Sequence, residues 1–414
     1  MRFYFETYGC TTNRADTDIM KGVVLNNGHD IVENIEKAEV VVVNTCIVIG
    51  KTENKMLNRI REISKGDVKL VVSGCLSSTG REKILDIDPN IEIFTPDEPG
   101  RIAELIDETP KPKFEAPSNI DGVVGRVQIS EGCLGNCSYC ITKYARGKLR
   151  SFPEKSIIRK IESMVDKGAK EIRLTAQDTG VYGKDTGSSL VELLSKLSEI
   201  QGDFKIRVGM MNPASIKQDF GEVFETLKDG NFYRFIHLPV QSGSEKILDN
   251  MNRNYKPETF IEMVREARKK LGATVSTDVI TGFPGESSED FEKTIDLLQK
   301  SRPDIINITR YSERPGTEAE KMKHASYNES KKRSKKLTEL RNRMCGEKRK
   351  NMVGDIVEAT VMEEGKPGTM IARDKYYNPI VVKKKLVIGE KIDLKIKEGK
   401  WSYLVGEVSG PMEK

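Results

Sequence analysis

Short apolar runs alternate with amphipathic stretches over the first 320 residues, and the period then changes. RFYFET (2–7), EVVVVN (39–44), VKLVVS (68–73) and IEIF (91–94) are largely apolar, without the strict alternation of a half-exposed strand. Strands of this kind, separated by helices expected from about Asn13, Thr52 and Arg81, predict βαβ units and a parallel sheet covered on both faces. The prolines and polar residues of ETPKPKFEAPSN (108–119) read as a linker, which bounds a first domain at 1–110 and a linker at 111–122.

From 123 to 320 the units lengthen. RVQIS (126–130), EIRLTAQ (171–177), KIRVGMM (205–211), FIHLPVQ (235–241), TVSTDVI (274–280) and IINITRY (305–311) are strand candidates. Between them lie runs with helical spacing and a closing glycine, such as 153–168 and 257–272. Six consecutive βα units predict a partial (β/α) barrel. Residues 321–350 read as a basic helical connector, and 351–414 as short alternating strands (355–362, 369–374, 379–383, 391–397, 402–408) forming a small β-barrel. The expected class is therefore a multidomain α/β protein.

No run approaches the roughly 20 apolar residues of a membrane span, and the start MRFYFETYGC lacks the apolar core of a signal peptide. Both point to a soluble, cytoplasmic protein. The 68 Lys/Arg against 63 Asp/Glu give a net charge of +5. The surplus is concentrated: residues 321–350 hold 12 Lys/Arg against three Glu, including Lys331, Lys332, Arg333, Lys335 and Lys336. Such a segment is either a solvated helix between domains or a phosphate-binding surface.

Seven cysteines (Cys10, Cys46, Cys75, Cys133, Cys137, Cys140, Cys345) and three histidines (His29, His237, His324) favour metal or redox chemistry on sulfur over a disulfide framework. Cys133-Leu-Gly-Asn-Cys137-Ser-Tyr-Cys140 follows the first strand of the barrel-like region. Three thiolates at gaps of three and two can hold three corners of a cubane cluster and leave the fourth iron open. The alternatives are a zinc knuckle, for which no fourth ligand lies nearby in sequence, or buried thiols.

This motif resembles the radical S-adenosylmethionine (SAM) superfamily. The resemblance implies that SAM binds the open iron and that Tyr139 packs near its adenine. It also implies cofactor contacts from three Gly-containing loops at strand ends: Gln177 and Asp178; Gln241 and Ser242; Asp278, Gly282 and Gly285. Read as residues alone, these are Gly-rich turns.

Cys10, Cys46 and Cys75 each follow a predicted strand (RFYFETYGC, EVVVVNTC, KLVVSGC). Loops after neighbouring parallel strands converge in one crevice, so three thiolates could meet there at a second cluster; three unrelated buried thiols are the alternative. The six-cysteine pattern resembles the radical methylthiotransferase family over nearly the full chain, ending in a TRAM domain. That resemblance implies two [4Fe-4S] clusters, SAM as methyl donor and radical source, a flavodoxin- or ferredoxin-like electron donor, and sulfur from either a sulfur donor or the auxiliary cluster itself.

Family targets are a tRNA adenosine or a ribosomal-protein aspartate. The basic segment and the small barrel favour tRNA. ITKYARGKLRS (141–151) and QDTGVYG (177–183) resemble the archaeal and eukaryotic branch acting on N6-threonylcarbamoyladenosine. Arg146 and Arg150 are candidates to contact RNA phosphate or the threonyl carboxylate; exposed loop charges are the alternative. Isopentenyl-adenosine in tRNA remains another target, and a metal-stabilised RNA-binding protein is the non-enzymatic reading. Cys345, outside both triads, is expected to be structural or incidental.

Overall fold

A computed structural model describes residues 1–48, 50–323 and 326–409; His324 and the last residues of the expected C-terminal domain lie outside it. The first sheet contains β1 (Arg2–Thr7), β2 (Asp30–Ile31), β3 (Val40–Thr45), β4 (Lys69–Gly74) and β5 (Glu92–Ile93), all parallel, in the order β2-β1-β3-β4-β5. The unbroken valines of β3 serve two faces at once. Val41 and Val43 pack with Ile60, Leu76 and Ile84, while Val40 and Val42 pack with Ile19, Met20 and Val23. A helical layer on each face accounts for the absence of alternation.

The second unit begins with β6 (Val124–Gln128), followed by a two-residue ribbon of β7 (Ser130–Glu131) and β8 (Arg150–Ser151). Then come β9 (Glu171–Thr175), β10 (Lys205–Arg207), β11 (Phe235–His237), β12 (Thr274–Thr281) and β13 (Ile305–Arg310). The parallel sets β10-β9-β6 and β11-β12-β13 are joined where Ile206 N donates to Asn231 O (2.5 Å) and Tyr233 N donates to Ile206 O (2.9 Å). Among the described residues no ladder joins β6 to β13, so the barrel is partial. The runs 205–211 and 235–241 pair over only three residues each. Pro239 brings no N–H to a ladder, and Gly209 lies so close to β9 that a Cβ there would sit 2.8 Å from Leu174 O.

The two units share a buried seam. Helix α1 (Thr11–Asn26) lies against β6, with Arg126 Nη1 2.9 Å from Asp18 Oδ2 and Gln128 Nε2 2.9 Å from Asp16 Oδ1. Residues 111–122, expected as a linker, are part of this seam. Ala116 is fully buried, and Lys113 Nζ lies 2.6 Å from Asp16 and 2.5 Å from Glu131. Proline content marks the absence of regular structure there, and a buried lysine holds the segment in place.

The basic helix Tyr327–Lys350 is capped by Ser326 and buries Leu337, Leu340, Met344 and Cys345. Cys345 sits in this packing layer. Five strands follow, β14 (Ile356–Glu364), β15 (Met370–Asp374), β16 (Pro379–Val382), β17 (Lys391–Gly399) and β18 (Leu404–Val408), closed in the order β14-β15-β16-β18-β17. Alternate residues, among them Ala359, Ala372, Ile380, Leu394 and Leu404, fill the interior. This barrel docks on the starts of the core strands: Tyr377 packs 4.9 Å from both Tyr233 and Phe235, and its hydroxyl donates to Glu171 Oε1 (3.0 Å).

Candidate active site at two cysteine triads

Because β1, β3 and β4 are adjacent and parallel, the loops after them meet at one edge, and each carries one cysteine. Cys10 precedes the first residue of α1, Cys46 follows β3, and Cys75 opens the short helix Cys75–Thr79. Asn13 organises all three loops. Its amide nitrogen donates to Tyr8 O (3.0 Å) and Thr45 O (2.6 Å), and its Oδ1 lies 3.7 Å from Cys10 Sγ and 3.8 Å from Cys75 Sγ. The approach of Cys75 also requires a glycine. Gly74 has φ of +87°, and a Cβ there would lie 2.3 Å from Asn44 Oδ1.

The second triad lies in the loop between β7 and β8. Gly132 N donates to Gln177 Oε1 (2.7 Å), Gly135 N donates to Cys133 Sγ (3.1 Å), and Cys140 N donates to Cys137 O (3.1 Å). Arg253 is buried beside it, with Nη1 3.7 Å from Cys137 Sγ and Nη2 donating to Pro239 O (2.7 Å). One cavity of about 370 Å³ is lined by Cys10 of the first triad and by Cys133, Cys137 and Cys140 of the second. A charged network ties the triads together. Arg146, in the helix Thr142–Arg146 just after Cys140, reaches Asp16 and Glu131 at 2.7 Å each and donates to Asn13 Oδ1 (2.9 Å).

The donor set suits iron-sulfur clusters. No group of three or more His, Cys, Asp or Glu among the described residues surrounds a single metal-ion position, whereas a cubane takes each thiolate on a separate iron. Burial pushes the Cys75 thiol up to about 11, against the pull of Arg146, and pushes Cys133 up to about 12. Burial also raises Cys46 and Cys140. These thiols are protonated near neutrality, and ligation must release their protons. Since the pKa values lie above the ordinary 9.0, iron uptake at fixed iron and sulfide is expected to rise from pH 7 to pH 9. Anaerobic reconstitution followed by iron analysis checks this, and a flat profile would contradict it.

The other expected site residues divide. Tyr139, Gln177, Asp178 and Gln241 line the cavity. Tyr139 also packs on Phe283 at 6.2 Å, so it serves the core as well. Gln241 has φ of +66°, and its buried Oε1 has no hydrogen-bond partner among the described residues. Asp178 also holds a turn, accepting from Gly180 N and Asn212 N at 3.0 Å each. Asp278 lies one layer back, bonded to His237 Nε2 (2.9 Å) and Asn307 Nδ2 (2.7 Å); His237 itself lines the cavity.

Three of the residues expected to contact the cofactor have roles within the fold. Ser242 is fully buried, 3.4 Å from Thr294 Oγ1 and accepting from Ser244 N, so its hydroxyl is spent on a turn. Gly282 makes room for the basic helix, since a Cβ there would meet Ser330 Oγ at 2.6 Å. Gly285 has φ of +79°, and its carbonyl accepts from Lys246 (3.1 Å), a turn role. Two RNA expectations are corrected. Arg146 is buried with its donors occupied. Arg333 is buried against Glu286 (2.7 Å) and Glu329 (3.0 Å), because it lies on the inner face of its helix. Lys331, Lys332 and Lys335 are exposed on that helix; Lys336 is exposed but paired with Glu292 at 2.5 Å; Arg150 is exposed with its guanidinium 6.0 Å from the Phe152 ring. Sequence reading did not single out Asn13, Arg207 or Arg253. A polar residue three places after Cys10, and an arginine inside an apolar strand, were the available signals.

Comparison with known proteins agrees with this arrangement. Residues 2–95 match an uncharacterized protein family (UPF0004), 127–298 the radical SAM superfamily and 350–409 the TRAM domain. A protein of Archaeoglobus fulgidus named "Probable threonylcarbamoyladenosine tRNA methylthiotransferase" is 39% identical over 426 residues, covering 99% of each chain. The chain belongs to the threonylcarbamoyladenosine tRNA methylthiotransferase family. A Xenopus laevis protein with that name is 30% identical, covering 98% of this chain and 77% of its own. Among solved structures, a radical SAM methyltransferase from Kitasatospora setae shares the fold, with a TM-score of 0.58 at 14% identity over 77% of this chain and 73% of that one.

Proposed function

We propose that this member of the threonylcarbamoyladenosine tRNA methylthiotransferase family adds a methylthio group to C2 of N6-threonylcarbamoyladenosine next to the anticodon in tRNA. The observation that carries this reading is the single cavity lined by thiols of both triads. When bound, two [4Fe-4S] clusters and SAM supply a methylatable sulfur and a carbon-centred radical able to take hydrogen from an unreactive carbon. Cys133, Cys137 and Cys140 would hold one cluster, and Cys10, Cys46 and Cys75 the other. Gln177, which fixes Gly132, orients the loop of the first. Asn13 orients the loops of the second.

The tRNA backbone would meet the exposed amines of Lys331, Lys332 and Lys335, together with Arg150 outside the cavity. Replacing the three lysines by alanine is expected to weaken tRNA binding and to flatten the slope of log Kd against log salt by up to about 2–3, since each lost phosphate contact removes roughly 0.9. Filter binding across a salt series checks this; an unchanged slope would place the phosphate contacts elsewhere. The reaction would need a flavodoxin- or ferredoxin-like electron donor, would draw its sulfur from the auxiliary cluster itself or from a sulfur donor, and would take place in the cytoplasm. No helix among the described residues is long and apolar enough to cross a membrane.

The test is anaerobic incubation of the reconstituted protein with SAM and dithionite, with and without tRNA carrying threonylcarbamoyladenosine. Release of 5′-deoxyadenosine together with a methylthio product supports the enzyme. A metal-stabilised binding protein would release none.

A further inference from the structure

Past the thiols, the cavity reaches a cation with no hydrogen-bond or ion-pair partner among the described residues. Arg207, the last residue of β10, lines the cavity. Its guanidinium makes no hydrogen bond or ion pair among the described residues, and its Nε is buried without a partner. It rests against the rings of Phe235 (4.9 Å) and Tyr377 (5.3 Å), the latter from the C-terminal barrel. In register beside it on β9 is Arg173, and Arg373 also approaches. Glu171, the carboxylate at the centre of this group, is already engaged by Arg173, by the Tyr377 hydroxyl at 3.0 Å and by Arg373 at 3.9 Å, while Glu363 acts on Arg173 and Asp374 on Arg373. By contrast, the buried arginines nearer the triads all have acceptors: Arg126 has Asp18 and Asp121, Arg146 has Asp16 and Glu131, and Arg253 has Pro239 O.

With Glu171 committed to other partners, the charge of Arg207 is left without an acceptor among the described residues in a site mostly withdrawn from water, an arrangement that is unfavourable until an anion arrives. A planar guanidinium with free Nη atoms matches a carboxylate in shape and charge. We propose that Arg207 receives a free carboxylate of a molecule entering the cavity. This deepens the proposed function and rests on it. Two molecules of that reaction carry such a group, the threonylcarbamoyl side chain of the base and the methionyl part of SAM, and the test separates them.

Wild-type, Arg207→Gln and Arg207→Lys proteins, all reconstituted, would be compared in two measurements: the SAM dissociation constant by equilibrium dialysis, and kcat/KM on two tRNAs. One tRNA carries the open threonylcarbamoyl side chain, and the other a cyclised side chain without a free carboxylate. If the base supplies the carboxylate, Arg207→Gln loses at least about tenfold in kcat/KM on the open form, little on the cyclised form, and keeps its SAM affinity, with Arg207→Lys in between. If SAM supplies it, Arg207→Gln weakens SAM binding by at least about tenfold and both tRNAs suffer alike. Unchanged SAM affinity and unchanged discrimination would overturn the proposal. So would equal loss on both tRNAs with normal SAM binding, because that marks a packing role. Should the wild type modify neither tRNA, the proposed function falls, while SAM binding by the variants still decides whether Arg207 holds the methionyl carboxylate.

Discussion

Cys75→Ala is expected to stop methylthiolation, by more than about 100-fold, while 5′-deoxyadenosine continues to form. The size follows from the loss of a ligand, since even partners one shell further out cost about 10- to 100-fold. The selectivity follows from topology. Cys75 stands at the end of β4 in the first sheet, whereas Cys133, Cys137 and Cys140 belong to the loop between β7 and β8. Removing the Cys75 thiol leaves the backbone bonds of the second loop in place, including Gly132 N to Gln177 and Gly135 N to Cys133. Cys137→Ala is expected to stop both products. Chromatography of the two products from parallel anaerobic reactions checks the pair. Equal loss of 5′-deoxyadenosine in Cys75→Ala would contradict the division of work between the triads.

Arg146→Met is expected to cost about 3–5 kcal/mol of stability, the range for breaking a buried ion pair by removing one partner. Asp16 and Glu131 are both buried and are shared between Arg146 and Lys113, so the four side chains balance in charge. With the guanidinium gone, two carboxylates face one ammonium, and Asn13 Oδ1 loses its strongest donor. The loss falls on the seam where α1 meets the loop of the second triad, so the cavity should loosen along with the fold. Denaturant unfolding of the iron-free protein gives the number, and a cost below about 1 kcal/mol would show that the network is not what holds the seam. Arg146→Lys is not expected to restore it, because one ammonium cannot span Asp16, Glu131 and Asn13 as the fork does.

The six metal-ligand candidates were legible because their signal is local or strand-linked. CxxxCxxC is a spacing, and the other three cysteines each follow an apolar run. The doubly covered sheet, the partial barrel and the small closed barrel were legible for the same reason, since their periods differ. What escaped reading was everything set by contacts across domains. Arg146 looks from sequence like a loop charge, but it points inward because Asp16 and Asn13, more than 100 residues earlier, wait for it. Arg333 sits in a basic run whose charge suggests solvent, yet helical spacing turns that one position toward Glu286. The glycines at 282 and 285 look from sequence like room for a cofactor; the first makes room for a helix and the second turns the chain. Arg207 could not be ranked, because its lack of a partner is a property of the folded interior.

The most direct test of the central claim is nucleoside mass spectrometry of tRNA from a host that makes threonylcarbamoyladenosine but not its methylthio derivative, with and without this gene. The account predicts 2-methylthio-N6-threonylcarbamoyladenosine only with the gene, and none when Cys75 or Cys137 is replaced by alanine. Absence of the new nucleoside in cells where the protein carries both clusters would contradict the account.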